Sequence, residues 1–192
     1  MAGVAGTVAA LAAALAIALP AGAASSSGGC VLSGTAAFNP GLSSTAQNFS
    51  YGFTGTLTNC QSTDSSAPAS GTVEAGQTVT VAGITYQEPI ATGNGGCSSS
   101  TTAGIAIARW KDGTVTVIKY TTTGAAAAVQ LAGTVIPSVT LTQVGGTGTT
   151  TIDTTRYNGN AANGQLTFGT TSPQDCLSGL KSASINGLAE LN

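Results

Sequence analysis

The sequence predicts an all-β fold: an antiparallel β-sandwich with two disulfides, with a small closed β-barrel as the alternative. Three observations carry this expectation. Strand and turn formers dominate, with 31 Thr, 19 Ser and 27 Gly among 192 residues. Short apolar runs alternate with turn signals, and no long helical period appears beyond residue 23. Four cysteines, Cys30, Cys60, Cys97 and Cys176, are dispersed along the chain rather than clustered.

Val8 to Leu19 is a continuous apolar run of 12 residues, which Pro20 breaks. Ala21-Gly22-Ala23 then supplies a small-residue cleavage pattern, followed by Ser25-Ser26-Ser27. This reads as a secretory signal peptide over 1–23, too short to span a bilayer, although its leading segment lacks Lys and Arg. A flexible tail (24–29) and a single domain (30–192) are expected to follow. Ser27 stands three residues before Cys30, where a lipidation motif requires an aliphatic residue, so disulfide pairing is favoured over lipidation.

Val31 to Phe38 reads as a strand, Asn39-Pro40-Gly41 and Ser43-Ser44 as a turn region, and Phe49 to Thr58 as the next strand. Reflection about residue 45 sets Cys30 opposite Cys60, which predicts the bridges Cys30–Cys60 and Cys97–Cys176. The apolar residues Leu32, Ala36 and Phe38 are even-numbered, whereas Phe49, Tyr51, Phe53 and Leu57 are odd-numbered. A strict reflection would therefore part the two apolar faces. Either a β-bulge shifts the register by one, or the cysteines lie beyond the regular ladder.

Ser70 to Glu74 and Thr78 to Tyr86 are the next strand candidates, and Gln87 to Thr102 reads as a polar loop. Gly104 to Trp110 and Thr114 to Thr122 form the clearest hairpin, with Lys111-Asp112-Gly113 as its turn. Ala127 to Thr142 holds one long strand or two short ones, with Pro137 marking an edge, bulge or bend. Ile152 to Tyr157, Gln165 to Phe168 and Ser184 to Leu188 complete the strands. Ser172 to Leu177 reads as a single helical turn.

The chemistry is narrowed by what is scarce. Net charge is −2, only 6% of residues are charged, and there is no polybasic run. Nucleic acid and anionic lipid are therefore excluded as partners. The chain has no histidine, so histidine-dependent nucleophilic catalysis and histidine-ligated metals are excluded. No metal or other cofactor is expected. Paired-carboxylate hydrolysis survives formally, through Asp64, Glu74, Glu88, Asp112, Asp153, Asp175 and Glu190. Asp64, Asp112 and Asp175 stand in ordinary turn and loop positions, and spacing does not show whether Glu74 faces Glu88. The chain is thus read as non-catalytic.

Three residues are candidates for binding. Trp110, the only tryptophan, is a strand-end core residue or a contact platform beside Arg109 and Lys111. Arg156 and Tyr157, followed by Asn158-Gly159-Asn160, combine a planar cation, an aromatic ring and amides, as binding-loop tips do.

The stretches GTAAFNPGL (34–42), FTGTLTNCQS (53–62), ASGTVEAG (69–76), IARWKDGTVTVIKY (107–120) and AGTVIPSV (132–139) resemble a group of small secreted actinobacterial proteins with no established activity. The shared features are a cysteine ending the second strand, a Trp-x-Asp-Gly hairpin and a late Pro-x-x-Cys segment. The resemblance spans Cys30 to Leu188 and implies secretion and an immunoglobulin-like sandwich, with nothing catalytic. The composition is also similar to that of the antitumour chromoprotein apoproteins, two-disulfide sandwiches that carry an apolar ligand, though no motif of theirs is matched.

The expectation is a secreted extracellular or cell-surface interaction module. It would meet a protein or cell-surface partner, or itself, by β-strand addition at an exposed edge, without inserting into a membrane. The alternative is a carrier whose apolar cleft is lined by residues such as Phe49, Tyr51, Phe53 or Trp110.

Overall fold

The computed structural model describes residues 28–170, 176 and 178–192. The expected signal peptide and most of the expected helical turn lie outside the described residues. Among the described residues all thirteen elements are strands: β1 (Gly28–Leu42), β2 (Gln47–Gln61), β3 (Gly71–Ala75), β4 (Thr78–Val81), β5 (Ile84–Gln87), β6 (Ala91–Gly95), β7 (Ser99–Trp110), β8 (Val115–Ala125), β9 (Ala128–Ile136), β10 (Ser138–Gln143), β11 (Thr149–Asp153), β12 (Ala161–Thr170) and β13 (Leu180–Leu191). The tail expected over 24–29 ends inside β1, where Gly28 and Gly29 already pair with Leu191 and Glu190.

The larger sheet closes on itself, because β1 pairs with both β13 and β2. Around the wall the order is β1, β2, β3, β7, β8, β9, β12, β13 and back to β1, with every pairing antiparallel. The architecture is therefore the closed barrel held as the alternative, not two facing sheets. One position in the wall is shared. β3 lies between the C-terminal halves of β2 and β7, and β6 lies between their N-terminal halves. Between β3 and β6 the chain leaves the wall as the β4–β5 hairpin, and residues 91–95, expected to be loop, form β6.

This hairpin joins β10 and β11 in a four-stranded sheet of order β11-β10-β5-β4. Pro137 stands where the chain passes from β9 in the barrel to β10 in this sheet. The sheet covers the outside of β7 and β8, where Ile107, Val117, Val139, Leu141 and Tyr86 form a small second core. That explains the unbroken apolar character of residues 105–108. Ile105 and Ile107 of β7 meet the outer sheet, while Ala106, Ala108 and Trp110 belong to the main core inside the barrel.

The parity conflict in the first hairpin is resolved by a bulge. Leu32 faces Leu57, Ala36 faces Phe53 and Phe38 faces Tyr51, so both apolar sets point inward. The register shifts between Gly29 and Val31, and Asn59 takes a positive φ of 50°. Both expected disulfides form. Cys30–Cys60 joins β1 to β2, and Cys97–Cys176 ties the β6–β7 connection to the segment between β12 and β13.

Candidate functional site in the barrel interior

An eight-stranded barrel is just wide enough for its side chains to fill it, or for one small ligand. Here the filling is incomplete. A cavity of about 120 Å³ remains, walled by aliphatic and aromatic side chains including Leu32, Phe53, Ile118, Leu131, Leu166 and Ile185. Alanines at 106, 108 and 162 contribute to the open space, since each sits on the wall with only a methyl group. At one end, Phe38 makes an edge contact with Phe49 at 5.8 Å and a tilted contact with Phe168 at 6.4 Å. Phe49 belongs to this aromatic closure. Tyr51, Phe53 and Trp110, the other residues expected to line an apolar cleft, do line the cavity.

The opposite end, where β1 begins and β7 ends, is the mouth, edged by the exposed Gln61, Asn163 and Glu190. Trp110 is buried there, its indole N–H donating to Thr116 Oγ1 at 2.9 Å. The Thr116 hydroxyl in turn donates to the carbonyl of Arg156 at 3.0 Å. Tyr157, held at a positive φ of 65°, sets its ring edge-on to Trp110 at 5.8 Å and also borders the cavity.

Arg156 does not present a free cation. Its two terminal nitrogens lie 3.3 Å from Asp64 Oδ2 and Asp112 Oδ2, and it also donates to the carbonyl of Ser66. Its charge lies 5.6 Å from the centre of the Tyr157 ring. One guanidinium thereby fastens the β2–β3 loop and the β7–β8 turn to the segment that carries Tyr157. Hydrogen bonds from Ser66 hold the Asp64 carboxyl below its ordinary value, with Arg156 adding to the effect. Thr114 does the same for Asp112, again reinforced by Arg156.

A hydroxyl cluster interrupts the apolar lining. Tyr51 and Tyr120 place their oxygens 2.6 Å apart, Tyr51 reaches Thr102 Oγ1 at 3.0 Å, and Thr102 reaches Thr122 Oγ1 at 2.7 Å. Burial raises the pKa of both phenols, for Tyr51 against the opposing pull of these hydrogen bonds, so both stay protonated. Tyr120 pairs across the ladder with Gly104, where a Cβ would stand 2.7 Å from the Tyr120 oxygen. A glycine is required there for the phenol to lie in place. The sequence marked Tyr51 as a cleft residue but offered no sign that Tyr120, Thr102 and Thr122 would meet it. That grouping depends on β2, β7 and β8, with β6 paired between β2 and β7.

Glu88 is also buried, at the base of the β4–β5 hairpin, but does not line the cavity. Its Oε2 accepts the Gln77 N–H at 3.1 Å, while Oε1 has no hydrogen-bond partner among the described residues. Among the described residues, no group of three or more Cys, Asp or Glu side chains is placed to hold a metal ion. The chain matches no protein-family model, no curated protein and no solved structure.

Proposed function

We propose that the protein is a secreted, non-catalytic carrier that holds a small apolar molecule inside its barrel. The supporting observation is the unfilled, mainly apolar interior behind a mouth fastened by Arg156. Well-packed interiors leave few voids larger than a water molecule, so an unfilled centre is a feature to account for. A cavity near 150 Å³ lined by aliphatic and aromatic groups is known to stay dry and accept benzene. The Cys30–Cys60 and Cys97–Cys176 bridges suit an oxidising compartment, and with the apolar N-terminal run they support export.

Trp110 provides the test, because the only tryptophan borders the site. Titration with toluene is expected to change its emission saturably, at one ligand per chain. Ala106→Leu, which adds three carbons beside the cavity, is expected to weaken toluene binding at least tenfold, an effect of about 1.4 kcal/mol or more, and to raise Tm. An unchanged emission, or full toluene affinity in Ala106→Leu, would count against the carrier.

A second reading retains the interaction module. Closure leaves the barrel no edge, but β4 and β11 are the outer strands of the smaller sheet. Exposed Val81 and Ile84 flank the β4–β5 turn. Partner or self-association by strand addition would use one of these edges, and new hydrogen-exchange protection of β4 or β11 on association would distinguish it from carriage.

A further inference from the structure

We infer that the cavity selects an apolar molecule carrying one hydrogen-bond acceptor, such as a carbonyl oxygen, and receives that oxygen at the Tyr51–Tyr120 hydroxyl pair. This deepens the carrier reading and rests on it. Tyr120, Tyr51, Thr102 and Thr122 form a chain of four hydroxyls joined by three contacts of 2.6, 3.0 and 2.7 Å. Each hydroxyl has one proton to donate, and each contact uses one. Whichever way the chain is oriented, one O–H remains without an acceptor in it.

Unused lone pairs are common in protein interiors, but an orphaned buried donor is rare. The tyrosines that begin this chain are buried, Thr102 and Thr122 are half-buried, and Tyr51, Tyr120 and Thr122 all border the cavity, so the spare proton is shut away from solvent only when it lies on a phenol. Rotating the hydroxyls in concert moves the spare proton along the chain, so it can be delivered to whichever oxygen meets an incoming acceptor. The phenols remain donors because burial opposes their ionisation. Elsewhere the lining offers an entering molecule mainly aliphatic and aromatic surface. The hydroxyl pair therefore gives an otherwise undirected cavity a fixed polar point, the arrangement by which apolar pockets orient their ligands.

Acetophenone and α-methylstyrene test this directly, being the same shape with C=O in one and C=CH₂ in the other. Calorimetric titration of the full protein is expected to show acetophenone binding about tenfold tighter. In the double variant Tyr51→Phe/Tyr120→Phe the preference should fall to within about twofold, while retained α-methylstyrene binding shows that the barrel has kept its interior. The carbonyl stretch of bound acetophenone, measured on the unaltered protein, should lie below its position in hexane. This readout stands whether or not the variant folds. If neither probe binds the unaltered protein, the carrier reading falls and this inference with it. If both bind equally, or the carbonyl stretch is unshifted, the carrier stands and the acceptor assignment is overturned. A preference that survives in the double variant also overturns it, by placing the acceptor elsewhere.

Discussion

Glu88 is only 1% exposed, and one of its carboxylate oxygens lacks a hydrogen-bond partner among the described residues. Burial raises its pKa above the ordinary 4.5, the neighbouring Glu74 adds to the rise, and the Gln77 N–H and Arg109 oppose it. The folded state therefore favours the protonated acid. That contribution to stability is full below pH 4.5 and is lost as pH rises through the elevated folded value. Glu88→Gln cannot ionise, yet retains an oxygen for the Gln77 N–H. Its Tm is expected to match the parent near pH 4 and to exceed it by about 2–4 °C at pH 7. Calorimetric scans across this range check the outcome, and a variant less stable than the parent at pH 7 would contradict it. In the sequence Glu88 is one carboxylate among seven. Its burial follows from the chain leaving the barrel wall between β3 and β6, an event that no local spacing announces.

Among the elements, the segment between β11 and β12 would serve the proposed carrier as a stopper, with Arg156 and its two carboxylates as the clasp. Removing the clasp with Arg156→Ala should leave the strands intact but free Tyr157 from Trp110. Acrylamide quenching of Trp110 emission is expected to increase, and toluene to dissociate faster. Quenching unchanged from the parent would show that Tyr157 closes the mouth unaided. The carboxylates of the clasp act in the opposite pH sense to Glu88. Their folded values lie below 3.8, so what they contribute is present above that pH and fades as acid protonates them. Parts of this scale were readable in advance. Lys111-Asp112-Gly113 announced its turn, and Gly113 takes a φ of 85°. Thr78 to Tyr86 reads as one strand, and only the switch of its apolar positions from odd (Val79, Val81) to even (Ile84, Tyr86) marks the break at Ala82-Gly83, where no Asn or Asp stands. Both residues nevertheless have positive φ, as a tight hairpin turn requires. Arg156 and Tyr157 stood out for their chemistry, but their partners Asp64, Asp112 and Trp110 are distant in sequence.

For the whole molecule, strand content and both bridges were legible, whereas closure was not. Sandwich and barrel make the same demand on each strand, one apolar face and one polar face. Leu32, Tyr51 and Tyr120 satisfy either architecture equally well. What separates the two is the ladder between β1 and β13, whose partners lie at opposite ends of the domain and leave no trace in local sequence. That ladder has a consequence for chain continuity. Gly28 is the direct partner of Leu191, so the two ends of the barrel's backbone stand side by side at the rim of the mouth. The wall is a ring already fastened by hydrogen bonds, and a covalent link across the same seam would change its connectivity without changing its shape. A permuted chain, with Asn192 joined to Gly28 by a short Gly/Ser linker and opened at the exposed Gly145–Gly146 turn, is expected to form both disulfides and bind toluene as the parent does. Should it fold but lose toluene, the rim would have to stay free of a crossing strap, and the route into the barrel would run past the seam where the first and last strands meet.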